Sequence, residues 1–314
     1  MARHHLPRHA GEKLTGQDMA ALFALIILLL APSDALAWGP GVHMAIGNYV
    51  LTNLQLVAPA VAAALTAHPE QFLYGCLSAD IFIGKGSSFT PTHSHNWDTG
   101  RALLRQADSP AAQAYAYGYL SHLAADVIAH NYLVPNMLGF SAGRGKFAHT
   151  YVEMMADLQV EWPRKQASRI FRIPNPEADA SLVRTVGQKR LPFTIKKRIF
   201  HKSLELVEER SYKRSLRAFR GILPFARKEA FITEAIAYAR GLVMDLLGNP
   251  LRSPVLECDP IGSSNLGQVR RFQRRQRSYY STRGEGIIFP LDTRLEPCLQ
   301  NTGEPDEQIS RLSS

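Results

Sequence analysis

The chain has 314 residues, 46% of them hydrophobic and 20% charged, with 36 Lys and Arg against 27 Asp and Glu for a net charge of +9. This is globular composition; it excludes a mainly disordered or collagen-like chain, and the length allows one large core or two modest ones. Three cysteines are too few for a disulfide scaffold or for a zinc site built from cysteine.

Residues 20–31 read AALFALIILLLA, an unbroken apolar run with Arg3, Arg8 and Lys13 before it and Ala35-Leu36-Ala37 after it. Basic residues, a short apolar core and a small-x-small triplet are the layout of a secretory signal peptide, and the run is too short to span a bilayer comfortably. The pattern predicts cleavage near Ala37 and an exported protein, periplasmic or secreted, whose mature chain begins at Trp38. Export permits disulfides. Cys258 and Cys298 could pair, while Cys76, among apolar neighbours in YGCLSADIF, reads as a buried thiol.

Residues 42–66 carry Ala, Val and Leu at helical spacing, with Pro59 dividing them. A Gly/Ser/Thr/Pro-rich stretch over 87–95 reads as a loop. A long helix is predicted over 110–133, from a proline in its first turn to a boundary at Pro135. A second loop over 139–145 precedes a helix over 147–172 interrupted at Pro163. Amphipathic helices follow over 196–218 and 228–247. Beyond residue 249 the periodicity fades, and 251–314 reads as an irregular basic tail, partly disordered. Strand signals are weak throughout. The predicted class is all-α, a single multi-helix domain over 38–250.

Charge and histidine are distributed unevenly. Residues 1–160 hold 8 basic and 10 acidic side chains, residues 161–240 hold 19 and 8, and the remainder is balanced. Seven of the 11 histidines fall between His43 and His149. Within the 110–133 helix, His122, Asp126 and His130 are spaced i, i+4, i+8. They share one face over about 12 Å, and apolar residues separate them. Two imidazoles and a carboxylate on an otherwise apolar face need compensation, which a bound metal, or two bridged by Asp126, would supply. The next helix repeats the device with His149 and Glu153, and Asp157 continues that face as an outer support or a solvated acid. Such pairs on facing helices suit a multinuclear zinc site. Asp80 ends the apolar run GCLSADIF, and THSHNWD supplies His93 and His95. Trp38 and His43 open the expected mature chain. A free α-amino group has a pKa of about 8, so a metal can displace its proton and chelate amine and carbonyl together.

In this order Trp38, His43, Asp80, His95, His122 with Asp126, His130, and His149 with Glu153 resemble the ligand series of the zinc-dependent phospholipase C family. That family shares its helical fold with the fungal single-strand-specific nucleases. GYLSHLAADVIAH and GCLSADIF also resemble the catalytic domain of glycosylphosphatidylinositol-specific phospholipase D. The resemblance implies two or three zinc ions. Asp80, His95, His122 and Asp126 would hold one; His130, His149 and Glu153 a second; Trp38, His43 and a bridging Asp126 a third. HNWD favours His95 over His93 as the ligand. The resemblance also implies metal-assisted phosphodiester hydrolysis, with Asp80 as a candidate general base.

The Gly-Pro-Gly after Trp38 lacks the acidic residue that helps hold choline in the secreted bacterial relatives, so no choline preference is implied. The Trp38-to-His43 and Asp80-to-His95 spacings look more like the nucleases, whereas Glu153, where the nucleases carry Asp, favours the phospholipase side. The basic segment KKRIFHKSLELVEERSYKRSLRAFR interleaves cations with Phe, Leu and Ile. Its 196–220 region could lie peripherally on anionic lipid, bind nucleic acid, or form a solvated face. The leading expectation is an exported zinc-dependent phosphodiesterase acting on a phospholipid or another anionic phosphodiester. The alternatives are a nuclease on the same metals and a non-catalytic zinc-binding helical protein.

Overall fold

The computed structural model describes residues 38–82, 93–139, 146–207, 229–275 and 287–299. The expected signal peptide, residues 140–145 of the second loop and most of the loop at 87–95 lie outside these. Among the described residues every regular element is helical, with no strand. In chain order they are α1 (Pro40–Thr52), α2 (Pro59–Ala67), α3 (Pro69–Ser78), α4 (Trp97–Arg105), α5 (Pro110–Ile128), α6 (Val134–Gly139), α7 (Lys146–Asp157), α8 (Arg164–Arg172), α9 (Pro176–Thr185), α10 (Arg190–Val207), α11 (Glu229–Gly248), α12 (Ser263–Arg275) and the short α13 (Glu296–Leu299). Helices α1, α2, α3, α5 and α9 each begin with proline, whose fixed φ suits the first turn and whose missing N–H is not needed there.

Helix α5 is the axis of the fold. From Ala114 to Ile128 nearly all of it is buried, with α1, α2, α3, α4 and α11 packed around it. Its closest neighbour is α3. A Cβ on Gly75 would stand 2.1 Å from the Tyr115 carbonyl oxygen, and one on Gly118 would stand 2.0 Å from that of Phe72. Only glycine at both positions lets the two backbones cross at this separation. The crossing sets the end of α3 against α5, and the 3₁₀ turn Ala79–Phe82 that follows it carries Asp80 to within 3.6 Å of His122.

Two structural results depart from the sequence expectations. Helix α5 does not stop at Pro135. It passes through a π-helical turn, Ala129–Leu133, into α6, where Pro135 occupies the first turn. The Asn131 carbonyl, which Pro135 has no N–H to serve, instead accepts from Asn265 Nδ2 at 2.9 Å. The region after residue 250 is also not simply an irregular tail. Helix α12 takes in the RRFQRR tract, and residues 287–299 pack onto the body, where Asn136 bonds the backbone of Ile288 and Phe289. The sequence lacks apolar periodicity here because side chain–backbone hydrogen bonds, rather than a continuous apolar face, fasten the segment. Cys76, Cys258 and Cys298 are buried free thiols, so of the two readings left open for Cys258 and Cys298 the structure shows the unpaired one.

Candidate metal centre

The centre lies where three other parts of the chain meet α5. From α5 come His122 and Asp126, from α1 His43, from the 3₁₀ turn Asp80, and from the turn before α4 His95; all five are buried. The i, i+4 spacing on α5 places His122 Nε2 3.1 Å from Asp126 Oδ2. Asp80 Oδ1 stands 3.2 Å from His95 Nε2 and 3.6 Å from His122 Nε2. His43 Nε2 is 3.4 Å from Asp126 Oδ1, and His95 Nε2 is 3.4 Å from Asp126 Oδ2. The His43 and His122 rings stack at 3.9 Å.

Backbone contacts aim these rings. The carbonyl of Cys76 accepts from His122 Nδ1 at 2.9 Å, a contact that the α3–α5 crossing makes possible and that turns Nε2 toward the carboxylates. The Pro260 carbonyl accepts from His130 Nδ1 at 2.6 Å and fixes its tautomer likewise. Gly262 allows that approach: its φ is +63°, and a Cβ there would lie 2.3 Å from the His130 carbonyl. His93 is turned to another task, its Nδ1 accepting the His95 backbone N–H at 3.1 Å. Of the two, His95 is therefore the ring that faces the carboxylates.

Trp38 is fully buried, and its indole N–H donates to the Ala125 carbonyl at 2.8 Å, next to Asp126. The start of α1 is gripped by Asp157, which accepts from the Gly41 and Val42 N–H groups at 3.0 and 2.9 Å. Asp157 thus supports the segment carrying Trp38 and His43 from α7. Glu153, one turn earlier on α7, is buried and feels the charges of Asp80 and Asp126. His149 belongs to α7, but its side chain lies outside the described residues.

Burial and mutual charge set the protonation of the cluster. Burial, followed by the His122 charge, lowers the His43 pKa to about 4, and burial pushes His95 well below its ordinary value. Burial also disfavours charged His122, but Asp126 and Asp80 outweigh it and raise the ring to about 9. Burial and the neighbouring acids hold Glu153 well above the carboxylate range. Burial likewise raises Asp80, whereas His122 and His43 overcome burial at Asp126 and hold it low.

This donor set fits zinc. His43 Nε2, Asp80 Oδ2 and both Asp126 carboxylate oxygens are buried without a well-aligned hydrogen bond. His43, His122 and Asp126, and separately Asp80, His95 and His122, offer ligand atoms all within 4.8 Å of one another. Tetrahedral zinc with bonds of about 2.0–2.1 Å separates its ligand atoms by about 3.4 Å, and the distances above scatter around that value.

The model of the zinc-dependent phospholipase C family matches residues 42–212, more than half of the chain. The chain belongs to that family. Comparison with curated proteins and with solved structures returned no match.

The sequence reading brought together the residues now seen to converge but missed their supports. Asp157 was legible as a continuation of the Glu153 face, although not as the cap of a distant helix. The carbonyls of Cys76 and Pro260 carry no side-chain signal. The glycine pair Gly75 and Gly118 would have pointed to a close helix crossing.

Proposed function

We propose that the protein is an exported zinc-dependent phosphodiesterase that hydrolyses the headgroup phosphodiester of a phospholipid. The observation that supports this most is the pair of three-residue ligand groups that share His122, with Asp126 Oδ1 beside His43 and Oδ2 beside His95 and His122, in a chain of the phospholipase C family. Asp80, His95, His122 and Asp126 would hold one ion. Trp38 and His43 would share Asp126 around another, and His130, His149 and Glu153 would hold a third.

Zinc held by these residues would lower the pKa of a water and offset charge on the phosphate oxygens. The chain's own residues orient and transfer protons. His122 and His130, anchored through Nδ1, keep Nε2 directed inward. Asp80 uses Oδ1 toward the histidines, leaving Oδ2 to accept the proton of the attacking water as general base. Asp80→Asn is expected to keep zinc, measured by elemental analysis, and to lose activity by about 10²–10⁴-fold; unchanged turnover would remove Asp80 from that role.

Phosphorus NMR of zinc-loaded protein beginning at Trp38 with mixed phospholipid vesicles tests the reaction itself. A water-soluble phosphomonoester is the expected product, and its identity names the headgroup. Phosphatidate would place the cut on the other side of phosphorus. An unchanged spectrum from metal-loaded protein would contradict the proposal.

A further inference from the structure

Helix α10 has two apolar faces. One faces inward: Phe193, Phe200 and Leu204 are buried, and Phe193 packs on Phe82 at 5.6 Å between ring centres. Phe82 lies two residues after Asp80 in the same 3₁₀ turn, so α10 rests on the turn that supplies the candidate base. The other face points out. Leu191, Ile195 and Ile199, spaced i, i+4, i+8, are 72%, 50% and 58% exposed. At about 100° per residue they form one stripe about 12 Å long, opposite the buried set.

We propose that this outer face of α10 docks the protein on an anionic lipid surface, laying the helix flat in the headgroup layer beside the metal centre. The inference rests on the phospholipid reading above and identifies where such a substrate surface is met.

Charge complementarity selects the occupant. Arg198 and Lys202 are exposed on the same side as the stripe, and Lys189 and Arg190 are exposed where the helix begins. The acid on that side, Glu205, is already engaged by Lys202 at 2.8 Å and Arg172 at 3.1 Å. Aliphatic side chains flanked by cations match acyl chains beneath anionic headgroups. A single-strand nucleic-acid platform would instead present aromatic rings for base stacking, and the stripe contains none. No described helix is long and apolar enough to cross a membrane.

The test is co-sedimentation of the full chain with vesicles of phosphatidylcholine alone or with about one-third phosphatidylglycerol. The variant Leu191→Ser/Ile195→Ser/Ile199→Ser is compared with wild type on the same leader, so any leader contribution cancels. Wild type is expected to bind the anionic vesicles at least tenfold more tightly than the neutral ones. The triple variant should lose about tenfold or more of that binding while hydrolysing a soluble phosphodiester at the wild-type rate. Equal binding by both proteins would overturn the proposal, as would preferential binding of wild type to single-stranded DNA over vesicles. Should the triple variant fail to fold, Ile195→Trp decides. Tighter binding with blue-shifted tryptophan emission supports docking, and unchanged binding overturns it. Absence of hydrolysis with intact stripe-dependent binding would defeat the enzymatic reading and leave the docking face standing.

Discussion

At the scale of single residues, His122 is the pivot of the site. It belongs to both ligand groups, its Nδ1 is held by the Cys76 carbonyl, and its ring stacks on His43. In the metal-free protein its pKa of about 9 lies above the ordinary value of 6.5. A raised folded-state pKa means that this ring's contribution to stability is complete below pH 6.5 and is lost as pH climbs through 9. Asp80, raised by burial, works in the same direction because its ionisation is resisted in the folded state. Zinc competes with these protons. The melting temperature of metal-free protein is therefore expected to fall from pH 6.5 to 9, while the increment produced by saturating zinc grows over that interval. Calorimetric scans with and without zinc check this, and an increment independent of pH would show that no such protons are displaced. His122 and Asp126 were legible in the sequence because an otherwise apolar helix face makes them conspicuous, whereas Asp80 and His95, in turns, were legible only through the order of the whole series. Their supports were less so, since the carbonyls of Cys76, Ala125 and Pro260 carry no side-chain signal.

At the scale of elements, the α3–α5 crossing and the α1 cap hold those residues in place. Gly118→Ala would drive a Cβ into the Phe72 carbonyl, where neither backbone can yield. The expected cost is about 3 kcal/mol, or a fall in melting temperature of about 6–12 °C. Gly267→Ala in α12 has no atom closer than 3.7 Å to its new Cβ and is expected to be neutral or slightly stabilising, providing the control. Asp157→Ala removes the acceptor of two backbone N–H groups at the start of α1 and is expected to cost about 1–2 kcal/mol. It should also weaken zinc binding through His43, which zinc titration would detect. The sequence expectations placed the division at Pro59 and the break before α8 well, because proline acts locally. The continuation through Pro135 was hidden, because it depends on Asn265, far along the chain, to bond the freed carbonyl.

At the scale of the whole molecule, the described residues after 250 pack onto the body. The Cys258 carbonyl accepts from the Trp97 indole at 2.7 Å, Pro260 orients His130, and Asn136 bonds Phe289. A chain ending at residue 250 is expected to lose cooperative thermal unfolding, followed by circular dichroism, and to bind less zinc than the intact chain. A truncated chain with unchanged cooperativity and zinc content would show the region to be dispensable. This long-range fastening was illegible in the sequence for a physical reason. A few polar bonds to backbone leave none of the 3.6-residue periodicity by which a helix packed along one face is recognised.

The central claim is that the buried His/Asp cluster holds zinc. Anomalous diffraction at the zinc edge from crystals of the zinc-loaded protein tests it most directly. The account predicts peaks among Asp80, His95, His122 and Asp126 and beside His43, with His122 Nε2 and Asp126 as ligands. Anomalous density confined to surface residues, with the five side chains hydrogen-bonded to one another instead, would contradict it.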